Sequence, residues 1–132
     1  MSATARQKPP ATPTRNDPDT PYVAIVGSRA FSDLESVRRF VQTLPVGTVI
    51  VSGGARGVDR CAATAARDHG LRVVEYLAQW DRWGRRAGFI RNQQIVQRCD
   101  RLVAFWDGSS SGTRHSIELA RQLGRPVIVH RS

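Results

Sequence analysis

Lysine is almost absent from this sequence. Lys8 is the single one in 132 residues, although Lys and Arg together number 20 against 11 acidic residues. The net charge of +9 is therefore carried almost entirely by arginine. Guanidinium forks grip phosphate bidentately where an ammonium acts as a point charge. The plain alternative is an arginine-rich coding bias that displaced surface lysines. Cysteine is scarce too. Cys61 and Cys99 form no CxxC pair. Both fall in expected helices, where cysteine serves as a small hydrophobe, and both are expected to be reduced. His69, His115 and His130 show no HxH or HxxxH spacing, so no metal site is expected. Long apolar runs are missing. Stretches such as Tyr22–Val26 are strand-sized, far below the ~20 residues of a membrane span. The N-terminus lacks the apolar core of a signal peptide. A cytoplasmic protein with no membrane partner is the expectation.

The length suits one domain with one core. Residues 1–21 hold Pro9, Pro10, Pro13, Pro18 and Pro21 among small polar residues. With almost nothing to bury, this segment cannot offset its ordering entropy and reads as a disordered tail. Residues 22–132 read as the folded domain. Apolar strand runs are expected at Tyr22–Val26, Thr48–Ser52, Arg72–Leu77, Arg101–Phe105 and Pro126–Val129. Helices are expected between them. The first presents Leu34, Val37, Val41 and Leu44 at helical spacing, capped by Ser32 or Asp33. The others are Val58–His69, Gly88–Arg98 (with Phe89, Val96 and Cys99 on one side) and Thr113–Leu123. Residues 78–87 read as a polar loop. Strands alternating with helices, and strands apolar almost throughout, indicate a parallel sheet covered on both faces. Right-handed crossovers then give a three-layer α/β/α Rossmann-like sandwich of five strands in order 3-2-1-4-5.

In such a sheet the loops at the carboxyl ends of the strands hold the ligand where the strand order reverses. Three of these loops are unusual. Gly27, Ser28 and Arg29 follow the first strand: a glycine for close backbone approach, a hydroxyl and a guanidinium for phosphate. A glycine here can equally serve a plain turn. Gly53, Gly54, Ala55, Arg56 and Gly57 follow the second strand and lead into a helix, whose start is a natural anion site. Asp59, in the first helical turn, either favours the helix dipole or bonds a ribose hydroxyl. Gly108, Ser109, Ser110, Ser111, Gly112 and Thr113 follow the fourth strand. They offer amides, hydroxyls and another helix start, so they read as a phosphate cradle rather than a merely flexible loop. A fourth stretch, residues 80–92, sets Trp80 and Trp83 among Arg82, Arg85, Arg86 and Arg91, with Asn92 following. Tryptophan faces beside guanidinium groups suit base stacking with phosphate binding. Alternatively, a tryptophan plugs the core edge.

Together these segments resemble the SLOG superfamily and, within it, the small YspA/YpsA-related proteins. The resemblance rests on Gly27–Phe31, Ser52–Asp59, Gly84–Asn92, Cys99–Asp100, Ala104–Trp106 and the Gly108–Thr113 loop, and runs from about Val23 to Val129. It implies a Rossmannoid fold that binds nucleotides or nucleotide-derived, ADP-ribose-like ligands. The superfamily also includes lonely-guy phosphoribohydrolases, whose motif pairs a helix arginine with PGGxGTxxE. Arg91 matches the arginine and the Gly108–Thr113 loop resembles the glycine stretch. The glutamate position is Ser116, which cannot serve as a catalytic carboxylate. Glu118, two residues on, is rotated about 200° around a helix from that place.

Three functions compete. The leading expectation is a sensor or ligand-binding module for a nucleotide-type phosphate ligand, with no obligatory cofactor. Arg29, Arg56, Arg91 and the loop amides would hold phosphate, Ser28 and Thr113 would add hydroxyl bonds, and Trp80, Trp83 or Trp106 would border the base. The second is a nucleotide or nucleotide-sugar hydrolase using another acid among Asp59, Asp107 and Glu118. The third is single-stranded nucleic-acid binding, because DNA-processing protein A has a related core and a basic, tryptophan-bearing loop fits stacking plus phosphate contact. Nucleic acid ranks below a small ligand here because the arginines sit in short motifs, not in a long stripe. Self-association is common for the fold and unreadable in the sequence.

Overall fold

The computed structural model describes residues 19–131. Five parallel strands form one sheet: β1 (Tyr22–Gly27), β2 (Val49–Ser52), β3 (Arg72–Glu75), β4 (Arg101–Trp106) and β5 (Val127–Arg131). Their order is β3-β2-β1-β4-β5. The helices are α1 (Leu34–Gln42), α2 (Val58–Asp68), α3 (Trp80–Trp83), α4 (Ala87–Arg98) and α5 (Ser111–Gln122). Register is tight at the centre, where Ala24 pairs with Val51 on one side and Leu102 on the other.

The strands are apolar on both faces, and two-residue alternation sends their side chains into two cores. Val23, Ile25, Ile50, Val103 and Phe105 pack under α1 and α2 against Val37, Val41, Val58 and Ala62. Tyr22, Ala24, Val26, Val51, Leu102 and Ala104 pack under α4 and α5 against Ile95, Val96, Cys99 and Ile117. Asp33 caps α1 by accepting from the Ser36 N–H at 3.1 Å. The run of small residues Ala62, Ala63, Ala65 and Ala66 lets α2 lie close over the sheet.

Several sequence expectations shift. Residues 80–86 are not an open loop: α3 and a 3-10 turn at Gly84–Arg86 precede α4. Helix α5 begins at Ser111 rather than Thr113 because Ser110 supplies its N-cap. Strand β3 ends at Glu75, short of Leu77, and β5 runs on to Arg131. Phe89 is exposed and stands against the His115 ring, not in the core with Val96 and Cys99. Both cysteines are free; Cys99 is buried just past α4 and Cys61 is half-buried on α2. Most of the expected tail, residues 1–18, lies outside the described residues. Pro21 already belongs to the fold, since its carbonyl accepts from the Val49 N–H at 2.9 Å. No helix among the described residues is long and apolar enough to cross a membrane.

Candidate functional site

The carboxyl ends of β1 and β4 are neighbours, and the chain leaves them toward opposite faces of the sheet. β1 feeds α1, on one face, and β4 feeds α5, on the other. The gap between their loops opens a cleft of about 430 Å³. Gly27, Arg29, Asp59, Trp80, Arg91, Asn92, Ser110, Gly112 and Thr113 line it. So do Arg85, Gly88, Phe89, Asp107 and Ser116, with Val26 and Ile95 as apolar lining.

Arg91 is the most constrained cation in this cleft. It projects from α4, donates from NH1 to the Gly53 carbonyl at 2.9 Å, and donates from Nε to Asn92 Oδ1 at 3.1 Å. Burial lowers its pKa; neighbouring Asp59 opposes that shift and Arg29 adds to it. Two guanidinium groups thus act on one another across the cleft. A side chain at Gly53 would have to push aside the ends of Arg91 and Asp59. A Cβ there would stand 2.8 Å from Arg91 NH1 and 2.9 Å from Asp59 Oδ2.

Asp59 is buried. Burial pushes its carboxyl up to about 6, against the N–H groups of Ala55 and Gly53 and the Arg91 charge, which favour ionisation. Oδ2 accepts from the Ala55 N–H at 3.2 Å. Its first role is therefore to hold the loop after β2, while one side of it faces the cleft.

Asn92 links the arginine to α5. Its Nδ2 lies 3.4 Å from the Gly112 carbonyl and 3.1 Å from His115 Nδ1. Arg91 Nε is only a donor, so Asn92 must turn its oxygen to Arg91 and its NH₂ to His115. His115 Nδ1 is then an acceptor, and the ring is neutral with its proton on Nε2. Burial lowers the His115 pKa, with Glu118 opposing.

The loop after β4 differs from the open cradle expected. Asp107 Oδ1 accepts from the N–H groups of Ser109 and Ser110, each at 2.9 Å, and from Ser109 Oγ at 3.3 Å. Those amide bonds hold the Asp107 carboxyl below the usual range. Ser110 Oγ also accepts from the Thr113 N–H at 3.4 Å. Two of the amides offered to phosphate are thus occupied by the chain's own carboxylate. The N–H groups of Ser111 and Gly112, at the start of α5, have no partner among the described residues and face outward, as helix starts do.

Other expected site residues support the cleft from beneath or lie outside it. Ser28 is buried beneath it, donating from its N–H to the Phe105 carbonyl at 3.0 Å and accepting on Oγ from the Asp107 N–H at 3.1 Å. It ties the loops after β1 and β4 together. Gly27 reaches the cleft, but the space of its missing side chain is taken by Val58 and the Phe105 carbonyl, each 2.6 Å from a Cβ placed there. Its glycine serves packing. Gly53 is buried, Gly54 lies against Leu77, and Arg56 is exposed away from the cleft. Gly108, Ser109 and Ser111 are likewise not in its lining. Arg85 and Phe89 are lining residues that were not singled out individually. An arginine in a tryptophan-rich segment was a usable signal for the first. Nothing marked Phe89, whose spacing matched a core position.

Ser116 occupies the cleft wall, its hydroxyl donating to the Gly112 carbonyl at 3.3 Å. Glu118 is exposed and outside the lining. The acids of the cleft are Asp59 and Asp107, each already engaged by backbone N–H groups.

The family model described as DNA recombination-mediator protein A matches residues 13–82. The Gene 61 protein of Mycobacterium phage D29 is 39% identical over 116 residues, spanning 80% of this chain and 93% of the phage protein. Among solved structures, DNA processing protein A from Streptococcus pneumoniae superposes with a TM-score of 0.74 at 27% identity, covering 83% of this chain. This chain spans only 50% of that protein. DNA processing protein A from Helicobacter pylori has the same fold, with a TM-score of 0.65 at 22% identity, over 84% of this chain and 66% of that one. Within the SLOG superfamily these matches fall on the DNA-processing branch.

Proposed function

The chain belongs to the DNA recombination-mediator protein A family, and from that premise we propose that it binds single-stranded nucleic acid. One phosphate would lie against Arg29 and Arg91, with the base of the same nucleotide toward Trp80 and Phe89. The Helicobacter pylori relative binds single-stranded DNA, which supports the choice of a strand over a free ligand. The carrying observation is the pinned Arg91. Its guanidinium is held by the Gly53 carbonyl and Asn92, and it keeps donors in hand beside Arg29. A guanidinium fixed in advance loses little freedom on gripping phosphate. The outward N–H groups of Ser111 and Gly112 add partial positive charge at the start of α5.

Half-exposed aromatic surface at the rim suits bases without selecting among them, because every base offers a π-face. Trp80 is 57% exposed and Phe89 57% exposed, unusual for residues of that size in a domain with two closed cores. Fluorescence anisotropy with a labelled oligo-dT strand tests the proposal. Binding that weakens steeply with salt, and at least tenfold in Arg91→Ala, is expected. Undetectable binding to the strand at low salt would refute it.

A second reading keeps one observation of its own. The cleft volume of about 430 Å³ matches one nucleotide-sized ligand, so a free nucleotide or ADP-ribose-like molecule also fits. Mass spectrometry of small molecules co-purifying with the protein separates the two.

A further inference from the structure

Trp106 ends β4 beside the cleft but outside it, and it carries two arginines. The Arg131 guanidinium lies 5.2 Å from its ring centre and that of Arg114 5.6 Å. Arg131 comes from the end of β5, paired in register with Trp106, and Arg114 from the first turns of α5. The indole is itself anchored, donating from Nε1 to the Ser110 carbonyl at 3.0 Å. Ser110 is a wall residue of the cleft. A single aromatic ring thus fixes two cations to the outer side of the wall that faces the site.

Neither arginine has a carboxylate partner among the described residues. The ion pairs Arg38–Glu35 and Arg67–Glu75 lie elsewhere in the fold. Glu118, the nearest acid in sequence to Arg114, stands one turn further along α5 and forms no ion pair with it, and Asp107 is bound by its own loop. Two guanidinium groups gathered on one ring make this corner strongly positive, and an anion brought to it is favoured. β5 is the edge strand of the sheet, and among the described residues no strand stands beyond it.

All five strands are parallel, so Arg131 at the end of β5 shares the carboxyl edge with every loop of the cleft. The other flank of that edge, after β3, carries Trp83 with Arg82 4.9 Å from its ring centre. The cleft lies between two Trp–Arg groups. Its volume accommodates one nucleotide, so the neighbouring phosphates of a strand must rest outside it.

We propose that Arg114 and Arg131, held on Trp106, form a second phosphate subsite that carries a bound single strand from the cleft toward the β5 edge. The inference rests on the nucleic-acid reading of the cleft. It assigns a strand-length requirement that a free nucleotide ligand would not share.

The test compares wild type with R114Q/R131Q and with R114K/R131K, all checked by thermal unfolding. Each is titrated with thymidine monophosphate by calorimetry and with a labelled oligo-dT strand by anisotropy across a salt series. The glutamine pair should weaken strand binding at least tenfold and leave the mononucleotide affinity within twofold. Two lost contacts to a single strand should also make the slope of log affinity against log salt shallower by about 1.4. The lysine pair keeps the charges and should keep the slope. An unchanged slope in R114Q/R131Q overturns the subsite, as does equal weakening of mononucleotide and strand, which marks a structural role. If wild type binds the mononucleotide but no strand, it is the reading of the cleft that fails.

Discussion

Arg91 and Gly53 lie 38 residues apart and meet at 2.9 Å, where the Arg91 NH1 group donates to the Gly53 carbonyl. This bond joins α4 to the loop after β2 and aims a half-buried guanidinium into the cleft. Asp59 approaches the same glycine from the other side. The absence of a side chain at position 53 is thus what allows the cation and the carboxylate to share one loop.

Replacing Gly53 by Ala should therefore act on both. The added methyl meets Arg91 NH1 at 2.8 Å and Asp59 Oδ2 at 2.9 Å. Overpacking of this kind costs roughly 1–3 kcal/mol. Ligand affinity should fall about tenfold as Arg91 is displaced. Paired denaturation and binding titrations check this, and a variant with native affinity would show that the Arg91 position is not critical.

Asp59 makes stability depend on pH in the direction opposite to most carboxylates. Its carboxyl titrates near 6 in the folded chain, against an ordinary value of 3.8. Between those values the folded state holds more protons than the unfolded state, so stability falls as pH rises and levels off above about 6. A shift of this size corresponds to about 3 kcal/mol at most. Asp59→Asn should flatten this dependence and raise stability at pH 7 and above. It should also tighten anion binding severalfold by removing a negative charge beside Arg91. A tenfold loss of affinity would instead assign the carboxylate a direct bond to the ligand.

His115 should be found as the Nε2–H tautomer at neutral pH, because Asn92 turns its NH₂ toward Nδ1 at 3.1 Å. Burial lowers its pKa below the ordinary 6.5, so the ring gains its second proton only under acid conditions. Nδ1 then becomes a donor facing a donor, and Asn92 loses its support for Arg91. Nitrogen-15 NMR of the ring reads the tautomer directly. A proton on Nδ1 at pH 7 would break the proposed chain from His115 to Arg91.

Phe105 anchors the core beneath the site. It is fully buried, meets Phe31 edge-on with ring centres 5.6 Å apart, and stacks on His130 at 4.6 Å. Its carbonyl accepts from the Ser28 N–H under the cleft. Phe105→Ala should destabilise the fold by about 3–5 kcal/mol, measured by chemical denaturation. Destabilisation under 1 kcal/mol would mean that the rings around it repack without a cavity.

The strands and their order were legible because five β-branched, apolar runs alternate with helical spacing, and right-handed crossovers leave few arrangements. The cleft's place followed from the same topology, and Arg29, Asp59, Arg91, Asn92 and Thr113 were visible in the motifs that meet there. Helix α3 was not legible: four residues, Trp80–Trp83, are too short to show a period. Phe89 had core spacing, yet α4 turns it outward against His115. The capture of the Ser109 and Ser110 amides by Asp107 had a local signal, an aspartate followed by glycine and serines, the pattern of a side-chain-closed turn. Gly27 and Ser28 carry motif residues whose work is packing and loop-tying, which depends on contacts with Val58, Phe105 and Asp107 that no local pattern displays.

The most direct test is amide chemical-shift mapping of the full chain titrated with a short oligo-dT strand. The largest changes are expected at Arg29, Arg91, Gly112 and Thr113, with a smaller set at Arg114 and Arg131. Changes confined to surfaces away from these residues would contradict a nucleic-acid site in the cleft.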